Sequence, residues 1–145
     1  MNQRKDKAIE FFEDGFNCAQ SIIGAYEDKL GKNTNVLMDM ASGFGAGMGR
    51  LQKTCGAVTG AFIVLSSLTN KNLPGARERL DQDIQDFAAR FREHFGELNC
   101  INLIQMDLNT EAERQQAHEE QVFEKKCQKY IAFSIETLEE LLSRD

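Results

Sequence analysis

Four cysteines, Cys18, Cys55, Cys100 and Cys127, carry most of the chemistry this 145-residue chain offers. A thiolate is a nucleophile, a soft metal ligand and half of a disulfide. Three of the four share a local setting. "GFNCAQSII" (15–23) and "GELNCINLI" (96–104) both run glycine, then Asn-Cys, then an apolar-rich segment, and "LQKTCGAVTGAF" (51–62) is a variant with Thr54-Cys55. Asn and Thr cap helices because a side-chain oxygen accepts one of the unpaired amides of the first turn. With Asn17, Thr54 and Asn99 as caps, Cys18, Cys55 and Cys100 are each expected at a first helical position. A sulfur there meets exposed amides and the positive end of the backbone dipole, which favours the thiolate and stabilises a bound anion. Apolar residues one turn on, Ile22, Val58, Leu103 and Ile104, turn these sulfurs inward. Cys127 falls inside a helical pattern, on the face of Phe123, Tyr130, Ile131 and Leu138, and is expected to point at the core.

The cysteines are separated by 37, 45 and 27 positions, so no two share a helical turn. The paired C-x₂-C of zinc fingers and thioredoxins and the C-x-x-C-H of haem attachment are absent. If the sulfurs meet, the fold must gather them from four helices. The competing reading is that each is a small buried hydrophobe. The glycines of "SGFGAGMGRLQKTCGAVTG" (42–60) match neither nucleotide-loop pattern, and no strand precedes them. Gly43, Gly45, Gly47 and Gly49 are expected to let the backbone approach a partner helix or a cofactor. Gly47, Gly49 and Gly56 are the cofactor-side candidates. Gly56 and Gly60, four apart, suit a helix lying tight against this one. Arg50 and Lys53 are placed to offset the charge of a thiolate cluster. His94 and His118 sit among charged residues and read as solvated, as do the carboxylates of 111–124. No Ser-His-Asp or H-E-x-x-H arrangement points to a hydrolase.

The elements that must position these residues are helical. Ala8, Phe11 and Phe12 are spaced i, i+3, i+4. Leu80, Ile84, Phe87, Phe91 and Phe95 keep one face, and Ile131, Leu138, Leu141 and Leu142 keep another. Breaks fall at Asp14-Gly15, Gly31 to Asn35, Gly43 to Gly49, Asn70 to Pro74 and Gly96. The expectation is an all-α, single-domain bundle over residues 1–145, of about six helices, with a central apolar helix starting at Cys55. A net charge of −6 repels phosphate backbones and anionic membrane surfaces, so no nucleic-acid or membrane partner is expected. "MNQRKDKAIEFFEDG" has no apolar segment behind its charges, which suggests a cytoplasmic protein, where structural disulfides are rare.

Taken together, these residues resemble the C_GCAxxG_C_C family of small bacterial and archaeal proteins, marked by four cysteines and a CGAxxG motif. Here the motif reads Cys55-Gly56-Ala57-Val58-Thr59-Gly60. The resemblance extends to "FNCAQ" around Cys18, to Gly47-Met48-Gly49-Arg50, to "FREHFGELNC" before Cys100 and to "CQKYIAFSIETLEELL" from Cys127, which is nearly the whole chain. It implies a redox role and an iron–sulfur centre. The expected function is electron transfer or redox sensing through an iron–sulfur cluster ligated by Cys18, Cys55, Cys100 and Cys127. The alternatives are a metal-free dithiol/disulfide switch using the same thiols, and a structural tie made by zinc or by packing alone. An electron-transfer or oxidoreductase partner is expected, with self-pairing into a homodimer as a further option.

Overall fold

The computed structural model describes residues 3–144. Helices account for all its regular structure: α1 (Gln3–Glu13), α2 (Cys18–Gly24), α3 (Glu27–Leu30), α4 (Thr34–Met40), α5 (Gly56–Leu68), α6 (Ala76–Phe95), α7 (Cys100–Ile104), α8 (Glu111–Glu119) and α9 (Gln128–Leu142). A 3-10 turn, Gly31–Asn33, joins α3 to α4, and a π turn, Phe123–Cys127, runs directly into α9. Among the described residues there is no strand, only an isolated antiparallel bridge between Thr54 and Asn99. The all-α expectation holds. The count of six was approximate, because the connections carry short helical turns that apolar periodicity does not reveal.

The long helices follow their patterns. Leu80, Phe87 and Phe91 of α6 are buried, as are Ile131, Leu138 and Leu141 of α9. Their rings form a continuous wall: Phe62 meets Phe87 at 6.0 Å, Phe91 meets Phe95 at 4.8 Å, and Phe95 meets Tyr130 at 4.8 Å. α5 is apolar nearly all round and packs against α2, α6 and α9, as a central helix must.

The closest crossing is α2 on α5. A Cβ on Gly60 would lie 2.8 Å from the Ala19 Cα and carbonyl oxygen, and one on Gly56 would lie 3.0 Å from the Cys18 Cβ. The two glycines of the CGAxxG motif therefore make the close approach expected of them, and it is Cys18 that they bring up to Cys55.

The segment between α4 and α5 is unusual. Ala46, Gly47, Met48, Gly49, Arg50 and Gln52 all have positive φ, between 51° and 68°. Left-handed backbone costs an L-residue roughly 1–2 kcal/mol, so a run of it needs support. Crossed main-chain bonds supply it: Gly49 N–H donates to Gly43 O at 2.7 Å, Gln52 N–H to Ala46 O at 3.1 Å and Lys53 N–H to Gly47 O at 3.1 Å. At Gly47 the chain folds back on itself so closely that a Cβ would sit 2.5 Å from the Lys53 nitrogen.

Candidate functional site: a cavity lined by four cysteines

Each cysteine reaches the site on a different mount. Cys18 opens α2, and Asn17 caps that helix as expected: its Oδ1 accepts from Gln20 N–H at 2.8 Å while Gln20 Oε1 accepts from Asn17 N–H at 3.1 Å. Asn17 Nδ2 also donates to Ala41 O and Ser42 O, each at 3.1 Å, which fastens the glycine segment beside Cys18.

Cys55 departs from expectation. The apolar helix starts at Gly56, and Cys55, not Thr54, is its cap residue, with no side-chain capping bond. Thr54 is occupied in the bridge to Asn99. Around that bridge Cys55 N–H donates to Leu98 O at 2.8 Å, Cys100 N–H to Lys53 O at 2.7 Å and Ile101 N–H to Gln52 O at 3.0 Å. This short ladder sets Cys55 beside Cys100. Cys100 does open α7, but Asn99 makes no side-chain capping bond. Its main-chain pairing replaces the cap.

Cys127 ends the π turn at the entry to α9. The extra residue of a π turn shifts helical register, and Phe123, Cys127 and Tyr130 all line the same space. Tyr130 Oη donates to Leu103 O at 3.0 Å, tying α9 to α7.

The four cysteines converge on one partly open cavity of about 90 Å³. That is room for roughly three waters, but the lining is almost wholly carbon and sulfur, with Leu103, Ile104 and Leu108 on the inner walls and Phe12, Phe123 and Tyr130 among its aromatic sides. Gly47 and Gly56 line it with Ala46. Gly49, the third cofactor-side candidate, does not. Its role is the left-handed turn itself, φ +57°. Arg50 and Lys53 do not line the cavity either; both are exposed, and they act through main-chain oxygens bonded to Asn109 and Cys100. His94 and His118 are exposed, as expected.

The electrostatics reverse one expectation. Helix ends were to favour the thiolates, and the amides of Ala57 and Val58 do act in that direction on Cys55. Burial is stronger. The cysteines are only 5–8 % exposed. The Cys18 thiol is pushed well above its ordinary range, first by its hydrogen bond with the Cys127 thiol and then by burial. Burial, followed by the neighbouring Cys18, does the same to Cys55. Cys100 is raised to about 11 by burial, against an opposing hydrogen bond from Gln52. Tyr130 rises to about 12, again chiefly through burial. The metal-free site thus keeps Cys18, Cys55 and Cys100 protonated at neutral pH, and a metal must displace those protons to bind.

Gln52 is the residue the sequence did not reveal. It is 2 % exposed although its neighbour Leu51 is 70 % exposed. Its Nε2 lies 3.8 Å from Cys100 Sγ and donates to Met106 O at 2.8 Å, and its Oε1 accepts from Leu108 N–H at 2.8 Å. Hydropathy offers no sign of this, since a polar residue beside Lys53 reads as solvated.

A family model described as "Putative redox-active protein (C_GCAxxG_C_C)" matches residues 16–141. The chain belongs to that family. Comparison with curated proteins and with solved structures gave no match. All four cysteines of the C_GCAxxG_C_C pattern fall inside the matched span, and in this member they line one cavity. Among the described residues, no three His, Cys, Asp or Glu side chains are spaced to hold a single metal ion, and no helix is long and apolar enough to cross a membrane.

Proposed function

We propose that this member of a redox-active family transfers or senses electrons through an iron–sulfur centre held by Cys18, Cys55, Cys100 and Cys127. The observation that carries the reading is the convergence of all four sulfurs, from four separate elements, on one apolar cavity. The donor set fits: thiolates are the ligands of iron–sulfur centres, and among the described residues no carboxylate or imidazole lines the space to compete for a harder ion.

Bound there, such a centre supplies reversible one-electron chemistry. The protein's part is to hold and tune. Phe12, Phe123 and the inner leucines limit water, the Gly56 and Gly60 crossing sets Cys18 against Cys55, and the 53–55 ladder sets Cys55 against Cys100. Electrons would come from or go to a partner protein.

Protein expressed and purified without oxygen should be coloured and contain iron and acid-labile sulfide, and Cys→Ala at any of the four positions should diminish both. Colourless protein that takes up no iron under those conditions overturns the reading.

One observation favours a second reading, a dithiol switch. Cys127 is the group that acts most strongly on the Cys18 thiol, so these two are the pair best placed to form a disulfide. They would release two protons and two electrons to a disulfide-bearing partner. Under that reading mild oxidation removes titratable thiols in twos, and peptide mapping finds Cys18 linked to Cys127 with no iron needed.

A further inference from the structure

We infer that Gln52 is a positioning and tuning residue of the redox centre, donating a hydrogen bond to the Cys100 sulfur that favours the reduced state. The inference rests on the iron–sulfur reading above and adds to it a residue outside the four ligands.

Three independent features of Gln52 agree. The first is placement against hydropathy. The chain leaves Leu51 70 % exposed and buries the carboxamide of Gln52 to 2 % exposure. Local solvation alone would favour the opposite arrangement. The second is backbone strain. Gln52 holds φ +56° at the end of the left-handed run, a conformation that costs a side-chain-bearing residue and persists only where the surroundings dictate it. With Leu51 outside and the carboxamide inside, the strained backbone aims the side chain at the site.

The third is hydrogen-bond accounting. A carboxamide has two N–H donors and one oxygen. The oxygen is taken by Leu108 N–H at 2.8 Å and one donor by Met106 O at 2.8 Å. Those bonds fix the plane of the amide, and Nε2 then stands 3.8 Å from Cys100 Sγ, within the longer reach of a sulfur acceptor. The carboxamide is therefore clamped at both ends, and the sulfur contact does not depend on a mobile side chain. Hydrogen bonds to ligand sulfurs are among the determinants of an iron–sulfur potential, because they stabilise the more negative, reduced state.

A merely structural role is the competing account, since the same two anchors tie the strained segment to residues 106–108. Potential and stability separate the two. Anaerobically prepared wild-type protein, Gln52→Met and Gln52→Glu are compared by redox titration and by resonance Raman spectroscopy in H₂O and D₂O. Asn109→Ala serves as the control, because Asn109 Nδ2 bonds Arg50 O at 2.7 Å and so supports the same segment without touching a sulfur. Losing one such bond should shift the equilibrium roughly three- to ten-fold toward the oxidised form, at most about 59 mV downward for a one-electron couple. Gln52→Glu keeps an acceptor for Leu108 and adds charge, so it should shift at least as far. Asn109→Ala should lose stability and keep the wild-type potential.

The Fe–S stretching bands of the wild type should shift in D₂O more than those of Gln52→Met, and the wild-type half of that measurement needs no variant to fold. Iron-loaded variants with an unchanged potential, or a wild-type spectrum indifferent to deuterium, overturn the role of Gln52 and leave the iron–sulfur reading standing. Wild-type protein that binds no iron overturns both.

Discussion

The helices that carry Cys18 and Cys100 begin with the same dipeptide and are held by different physics. At α2, Asn17 works through its side chain, closing a capping box with Gln20 and reaching Ala41 and Ser42. At α7, Asn99 works through its backbone, paired with Thr54 in a bridge whose bonds run from Cys55 to Leu98 and from Cys100 to Lys53. One cysteine is placed by a cap and a helix crossing, the other by a fragment of sheet and a buried carboxamide. An Asn-Cys signature thus specifies where a helix starts without specifying what holds it there.

The largest test of this contrast falls on the α2 side. Gly60→Ala places a methyl group 2.8 Å from the Ala19 backbone, which cannot yield as a flexible side chain would. The cost should be about 3 kcal/mol in urea unfolding, at the upper end for overpacking. Gly56→Ala, with its nearest contact at 3.0 Å, should cost less.

The α7 side is sharpened by pH in the metal-free protein. Below about pH 9, the ordinary thiol value, folded and unfolded chains both keep the Cys100 proton. As pH rises toward 11 only the unfolded chain gives it up, because the folded value is raised to about 11. Stability attributable to this group should therefore fall across that window by about 3 kcal/mol and level off above it. Urea midpoints measured from pH 8 to 11 check the sign. A stability that rises through that range contradicts the burial account.

The smallest effects isolate the two asparagines. Asn17→Ala removes a cap and two further bonds and should cost about 2 kcal/mol. Asn99→Ala leaves the main-chain bridge intact and should cost under about 0.5 kcal/mol, the range of a substitution away from any such feature. Equal losses in thermal unfolding would show that the two mounts are alike after all.

What the sequence disclosed and what it withheld divide along the same line. Side-chain devices with a fixed spacing were legible: the Asn17 cap, the close crossing through Gly56 and Gly60, and the apolar faces of α6 and α9. Main-chain devices were not. Thr54 is a good capping residue by type, and only the long-range pairing with Asn99 takes it away and moves the cap to Cys55. The left-handed run was half visible as alternating glycines, but Ala46, Met48, Arg50 and Gln52 share the conformation with nothing in their side chains to announce it. The thiols were misjudged for a related reason. A helix start can be read from neighbours in sequence, whereas burial depends on residues as distant as Leu108 and Phe123. Gln52 combines both difficulties, a strained backbone and a buried polar tip, so its contact with Cys100 became apparent only in three dimensions.

The central claim is that four scattered cysteines act as one metal-binding set. Iron K-edge X-ray absorption on anaerobically prepared protein tests it most directly. The account predicts an all-sulfur first shell with a second shell of iron, both disrupted in each single Cys→Ala variant. A first shell of nitrogen and oxygen, or a sulfur shell indifferent to the loss of one of the four cysteines, would contradict it.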